Sequence, residues 1–192
     1  MNKREFLGAA ALASAGPVLG QAPTIPGKGP ALLTVTGAIG RPNRGPFDPS
    51  LDQMMQKQKV SFERAYAFDF TTLANLPAFN IKPTLEYDRK VHVLRGPLLL
   101  DVLAFAGARP ADSASLVLRA VDGFAVTFSV EKARRRRCMV ATHLDGKPMP
   151  LGGLGPLWAV VDADRIAELA SKPLAERFGE CPWALYHIEV QA

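Results

Sequence analysis

Cysteine is scarce in this chain: its 192 residues contain two, Cys138 and Cys181. No Cys-x-x-Cys occurs, which removes support for a thioredoxin-type redox site or a zinc knuckle. The three histidines, His92, His143 and His187, stand apart from one another. None has a partner at the i, i+2 or i, i+4 spacing that metal sites use, so half-exposed strand positions account for them. Gly-x-Ser-x-Gly, His-Glu-x-x-His and the phosphate-binding P-loop are all missing. Long apolar runs are missing too. The longest lies at the N-terminus and is about half of the ~20 residues that cross a bilayer, which excludes a membrane-spanning bundle. With 48% hydrophobic and 21% charged residues the chain is neither a disordered polymer nor collagen-like. A chain of this size buries roughly 70% of the surface its unfolded form exposes, so it needs neither disulfide nor metal to fold.

What is present begins with an export-type head. Met1, Asn2, Lys3, Arg4 and Glu5 precede the apolar, small-residue stretch 6–13, and Gly16, Pro17, Gly20, Gln21 and Ala22 complete the pattern. Residues 1–22 read as an export signal cleaved after Ala15 or Ala22. Lys3-Arg4-Glu5-Phe6-Leu7 looks like a twin-arginine signal with Lys in place of the first Arg, and the general secretory route fits as well. An N-terminal anchor is the lesser alternative. The expected location is the periplasm. Residues 23–30 are a Pro/Gly linker.

Loss of Lys3, Arg4 and Glu5 takes the formal net charge from +5 to +4. Much of that excess sits at 134–137, four consecutive arginines, with Lys132 just before them. Such a run is expected to be a solvated loop, or a patch for a lipid surface or an anionic glycan. Nucleic acid is not expected, because no aromatic residues interleave the basic ones and no reading motif is present. In an oxidising compartment the Cys138–Cys181 pair invites a disulfide; two separate buried thiols are the equal alternative.

Periodicity predicts an α+β, β-rich single domain over 31–192. Strands are expected at 31–37, 60–70, 115–120, 124–130, 138–144, 157–161 and 183–190, with a broken hairpin over 81–94. Ser50, with Gln53 three residues on, predicts a capping box, and Thr71 is expected to cap 72–76. The clearest helix opens at Gly96-Pro97: Leu99, Val102, Leu103 and Ala106 follow i, i+3, i+4, i+7, and Gly107 ends it. Asp122-Gly123 and Asp145-Gly146 predict hairpin turns, which explains both acids better than a carboxylate pair does. Residues 152–156 are glycine-rich, but without a following helix and lysine they read as a turn. Without βαβ alternation a parallel Rossmann-type sheet is not expected.

Six motifs recur in order: 68–73 before Leu76-Pro77, 95–103 ending at Gly107, 120–124, 145–149, 155–158 and Trp183. In this arrangement the chain resembles the molybdopterin-binding domain of the sulfite oxidase family, specifically its small, exported, single-domain members. The resemblance implies a mixed α+β fold with several sheet layers and a β-grasp-like element. It also implies a molybdenum held by the pterin dithiolene and by a cysteine thiolate upstream of the main helix. Here that position falls near Thr84-Leu85-Glu86-Tyr87, where no cysteine stands. Thr and Tyr hydroxyls are hard ligands that do not mimic a soft thiolate; Cys138 is the tempting replacement but lies far along the chain. Arg89 and Arg95, with the helix N-terminus at Gly96, are the candidate anion-binding residues. The expectation is an exported molybdopterin-domain-like protein that has lost the metal–thiolate bond. It would hold no cofactor and bind a small ligand or a periplasmic protein. The alternative is a molybdopterin-dependent oxidoreductase or subunit with atypical metal ligation.

Overall fold

A computed structural model describes residues 29–191 of the chain. The export segment 1–22 and most of the linker 23–30 lie outside the described residues. Among the described residues, eleven strands form three sheets. The largest contains β1 (Ala31–Gly37), β2 (Tyr66–Asp69), β5 (Ser115–Ala120), β6 (Ala125–Ser129) and β11 (Leu185–Gln191), in the order β2-β1-β11-β5-β6. A second holds β3 (Ala78–Ile81), β4 (Leu94–Pro97), β8 (His143–Leu144) and β9 (Lys147–Pro148); the third pairs β7 (Met139–Ala141) with β10 (Trp158–Val160). The helices are short: α1 (Gln53–Lys57), α2 (Phe70–Ala74), α3 (Leu99–Phe105), α4 (Val130–Arg135) and α5 (Ala167–Ala170). The expected α+β class is what the structure has.

Local signals place several elements. The apolar stripe of α3 buries Leu99, Val102 and Leu103 completely, and Gly107 takes φ +80° where the helix stops. Asp145 and Gly146 both adopt positive φ, the geometry of the tight turn joining β8 to β9. Asp122 accepts the Phe124 amide at 2.9 Å between β5 and β6.

Other expectations are corrected. The helix at 96–106 begins at Leu99, because Gly96 and Pro97 belong to β4. A Cβ on Gly96 would stand 2.0 Å from the Val140 carbonyl oxygen, so glycine is there to let β4 pass β7. The long strand at 60–70 shrinks to β2, since the Asp69 carboxylate accepts the Thr72 amide at 2.7 Å and starts α2. That makes Asp69, not Thr71, the cap. The capping box expected at Ser50 does not form: Asp48 accepts the amides of Ser50 and Leu51 in the turn ahead of α1, and the N-cap of α1, Asp52, makes no side-chain cap bond. The hairpin over 81–94 pairs at its ends, as β3 with β4. The arginine run is not a loop: Ser129 accepts the Lys132 amide and caps α4, which carries 134 and 135. One pairing has no signal in the sequence. β1 runs parallel to β11, with Thr34 opposite His187.

One apolar cluster joins the three sheets: Leu33 and Val35 of β1, Leu94 of β4, Leu116 and Leu118 of β5, Met139 of β7, Trp158 of β10 and Ile188 of β11. Each fully buried side chain of this kind stabilises the fold by about 1.5–3 kcal/mol relative to exposure. His187 is fully buried within β11, and His92 lies outside any strand, so half-exposed strand positions describe neither.

Candidate functional site

The segment 84–87 is tied down by hydrogen bonds and packing. Thr84 donates its backbone amide (2.7 Å) and its hydroxyl (2.8 Å) to Asp164 Oδ2. The other oxygen of Asp164 accepts Arg177 Nη1 at 2.8 Å. Partial burial opposes ionisation of Asp164, but the Thr84 and Arg177 hydrogen bonds outweigh it and hold the carboxyl below its usual range. Leu85 is buried in the core. Burial, and then the neighbouring Glu86 carboxylate, push Tyr87 up to about 12. The residues of 84–87 therefore do not fit a thiolate-held molybdenum: the donor chemistry they offer is hard oxygen, and the Thr84 hydroxyl is already given to Asp164. Among the described residues no group of three His, Cys, Asp or Glu side chains is disposed to hold a metal ion.

Both cysteines are buried free thiols that line one small cavity between α4, α5 and the 178–181 segment. The fold thus brings together two residues that stand far apart in sequence. Burial pushes the Cys181 thiol up to about 12 and Cys138 well above the ordinary thiol range, so neither is a thiolate near neutral pH. Their backbones serve structure, with the Cys138 carbonyl accepting the Leu99 amide and the Cys181 carbonyl accepting Trp158 Nε1.

Arg89 sits exposed in a turn at φ +61°, Arg95 is exposed on β4 opposite His143, and Gly96 is buried. Gly96 precedes α3 by a strand residue and Leu98, so the helix N-terminus does not begin there. None of the three lines the cysteine cavity, the cleft beside Arg137 or the cleft beside Trp183.

The arginine run is where packing separates identical residues. Arg134 bonds Asp112 at 3.0 Å, and Arg135 bonds Glu131 at 3.2 Å. Arg136 is clamped between Glu168 (2.6 Å) and Glu180 (2.7 Å), with Lys132 also on Glu180 at 2.6 Å. These pairs lock α4 to α5 and to the 178–181 segment. Arg137 differs. At φ +51° it leaves the helix, and its guanidinium lies 4.9 Å from the centroid of the Phe79 ring. It makes no ion pair with a described carboxylate.

Arg137 faces a cleft of about 330 Å³ bounded by Phe79 and Asn80 of β3, by Arg136, and by Asp162 and Arg165. The Arg165 side chain is 87% exposed and 3.6 Å from Asp162, beyond hydrogen-bonding distance. Asp162 Oδ1 is buried with no hydrogen-bond partner among the described residues, and burial raises this carboxyl above its usual range against the pull of Arg165. Phe79, Asp162 and Arg165 carry no signal in the sequence. The only pointer is the arginine run itself, which does not say which of its members stays free.

No protein-family model matches the chain, and no curated protein matches it. Among solved structures, the sulfane dehydrogenase SoxCD from Paracoccus pantotrophus is similar over 83% of this chain and 37% of that chain, at 13% sequence identity and a TM-score of 0.52. The chain thus spans little more than a third of the solved chain it matches. At that identity the likeness is one of architecture: this chain shares its mixed α+β fold with part of SoxCD.

Proposed function

We propose that this chain is an exported, periplasmic binding module on a molybdopterin-domain-like scaffold, and that it holds a small anion in the Arg137–Arg165 cleft without metal-centred chemistry. The observation that carries this reading is the contrast within the arginine cluster. Arg134, Arg135 and Arg136 are paired with carboxylates at hydrogen-bonding distance, whereas Arg137 has an aromatic ring as its neighbour and the largely exposed Arg165 has a looser pair with Asp162 at 3.6 Å. Guanidinium groups suit oxyanions because their planar N–H forks match two oxygens at once. Asp162, protonated more readily than an ordinary carboxyl, supports an oxyacid that shares a proton with it, such as hydrogen phosphate. The lack of sulfur at 84–87 supports the absence of the molybdenum centre, and the 1–22 segment supports export.

Calorimetric titration with inorganic phosphate and with sulfate tests the reading. A charge-assisted hydrogen bond contributes about 1.5–3 kcal/mol, so Arg137→Gln or Arg165→Gln is expected to weaken binding by about tenfold or more. Unchanged affinity in both variants, or no binding by the parent protein, overturns the anion site. Elemental analysis of the exported protein from a cofactor-producing host is expected to find no stoichiometric molybdenum, and one molybdenum per chain overturns the module reading.

A second reading has one observation in its favour: the solved neighbour is a dehydrogenase of which this chain covers 37%. On that reading the chain is an oxidoreductase subunit whose molybdopterin is held jointly with a partner. Stable molybdenum retention only in a complex would favour it.

A further inference from the structure

A second cleft, of about 290 Å³, is lined by Glu86, Tyr87, Asp122, Phe124, Phe178 and Trp183. Three of its aromatic rings are unusually open to solvent: Tyr87 at 55%, Phe124 at 44% and Trp183 at 39%. They come from three separate stretches, the 85–89 turn, the β5–β6 turn and the approach to β11, so local sequence does not explain their meeting. Large aromatic side chains exposed together around one concavity mark a binding surface more often than a stability element.

The charge of the cleft is opposite to that of the chain. The protein carries a formal +5, yet no Lys, Arg or His lines this cleft, and its two carboxylates make no ion pair with a described basic residue. Asp122 Oδ1 accepts the Phe124 amide at 2.9 Å, which holds that carboxylate in place, and Glu86 neighbours the Tyr87 phenol. Buried Phe178, which also lines the cleft, has its ring centroid 5.6 Å from that of Trp158, and Trp158 bridges through its backbone to Trp183.

We infer that this cleft binds a small organic cation, a quaternary or methylated ammonium group, between the ring faces of Tyr87, Phe124 and Trp183 with Glu86 and Asp122 supplying the counter-charge. Aromatic faces carry negative quadrupole potential that attracts bulky, weakly hydrated cations, and adjacent carboxylates add to that field. A bare metal ion is disfavoured because ring carbons are not ligands and two acids are too few oxygens. A neutral sugar is disfavoured because no amide, guanidinium or ammonium side-chain donor lines the cleft. The site is independent of the Arg137–Arg165 cleft, and neither reading depends on the other.

Choline and tetramethylammonium are the probes, followed by calorimetry and by tryptophan fluorescence on the full chain, with Trp158 as the second, buried emitter. Saturable one-to-one binding is expected, with the uncharged choline isostere 3,3-dimethyl-1-butanol bound about tenfold more weakly or worse. Glu86→Gln and Asp122→Asn keep the hydrogen-bond acceptors while removing charge, and each is expected to weaken choline several-fold. Phe124→Leu keeps apolar bulk at an exposed turn and removes the ring, with a similar expected loss. No saturable binding of either cation by the parent protein overturns the proposal. So does equal affinity for the neutral isostere, or a preference for glucose over choline.

Discussion

His187 Nε2 lies 3.0 Å from Thr36 Oγ1, joining the parallel strands β1 and β11 through a contact that is fully buried. Arg119 Nη1, which can only donate, stands 3.2 Å from Nδ1, so Nδ1 accepts and the ring proton resides on Nε2, donating to Thr36. The geometry needs a neutral imidazole. Burial, and then the Arg119 charge, push the His187 pKa down to about 3.

Stability should therefore fall in acid for a specific reason. The unfolded chain takes up a proton on His187 near pH 6.5, while the folded chain resists until about 3, so the contribution is complete above 6.5 and lost as pH falls through that window. Urea unfolding between about pH 4.5 and 6.5 is expected to show a clear slope that His187→Gln flattens. An unchanged slope rejects the assignment. His92 has the opposite sign. Hydrogen bonds to Asp145 at 2.7 Å and Asp88 at 3.0 Å raise its pKa, so its smaller contribution is present below 6.5 and lost as pH rises through the folded value. A histidine NMR titration separates the two directly.

Leu103 is fully buried on α3, in the cluster that joins all three sheets. Leu103→Ala is expected to cost about 2–5 kcal/mol in chemical denaturation, the range for a large-to-small change in a packed core. A loss below about 0.5 kcal/mol would place the residue at the surface.

Gly96→Ala meets backbone rather than a movable side chain, since the new methyl would fall 2.0 Å from the Val140 carbonyl oxygen. Forcing β4 away from β7 is expected to destabilise by about 1–3 kcal/mol or more. Gly153→Ala, whose nearest neighbour would be 3.8 Å away, is the control and should be close to neutral. Equal melting temperatures for the two variants would refute the close approach.

Cys138 and Cys181 are expected to count as two thiols when the protein is denatured without reductant, and as essentially none in the native state, where burial hides both and suppresses the thiolate. A count of zero after denaturation would show that the cavity walls close into a bridge.

Short-range chemistry is readable from the chain. The α3 stripe of Leu99, Val102 and Leu103 and the Asp-Gly turns at 122–123 and 145–146 follow from contacts within one helical turn or one hairpin, where spacing alone sets geometry. Caps are less legible: Thr71 has the right chemistry, but the Asp69 carboxylate is the group that reaches the free Thr72 amide, and at Ser50 an Asp48 turn forms ahead of a helix with no side-chain cap. The clefts are not readable. Arginines 134–137 are one letter repeated, and what separates Arg136 from Arg137 is that Glu168 and Glu180 reach the first, while the second turns out at positive φ toward Phe79. Composition and periodicity report on neighbours in sequence. The sign of a local field depends on charges and rings assembled from distant segments, and that assembly exists only once the sheets have packed.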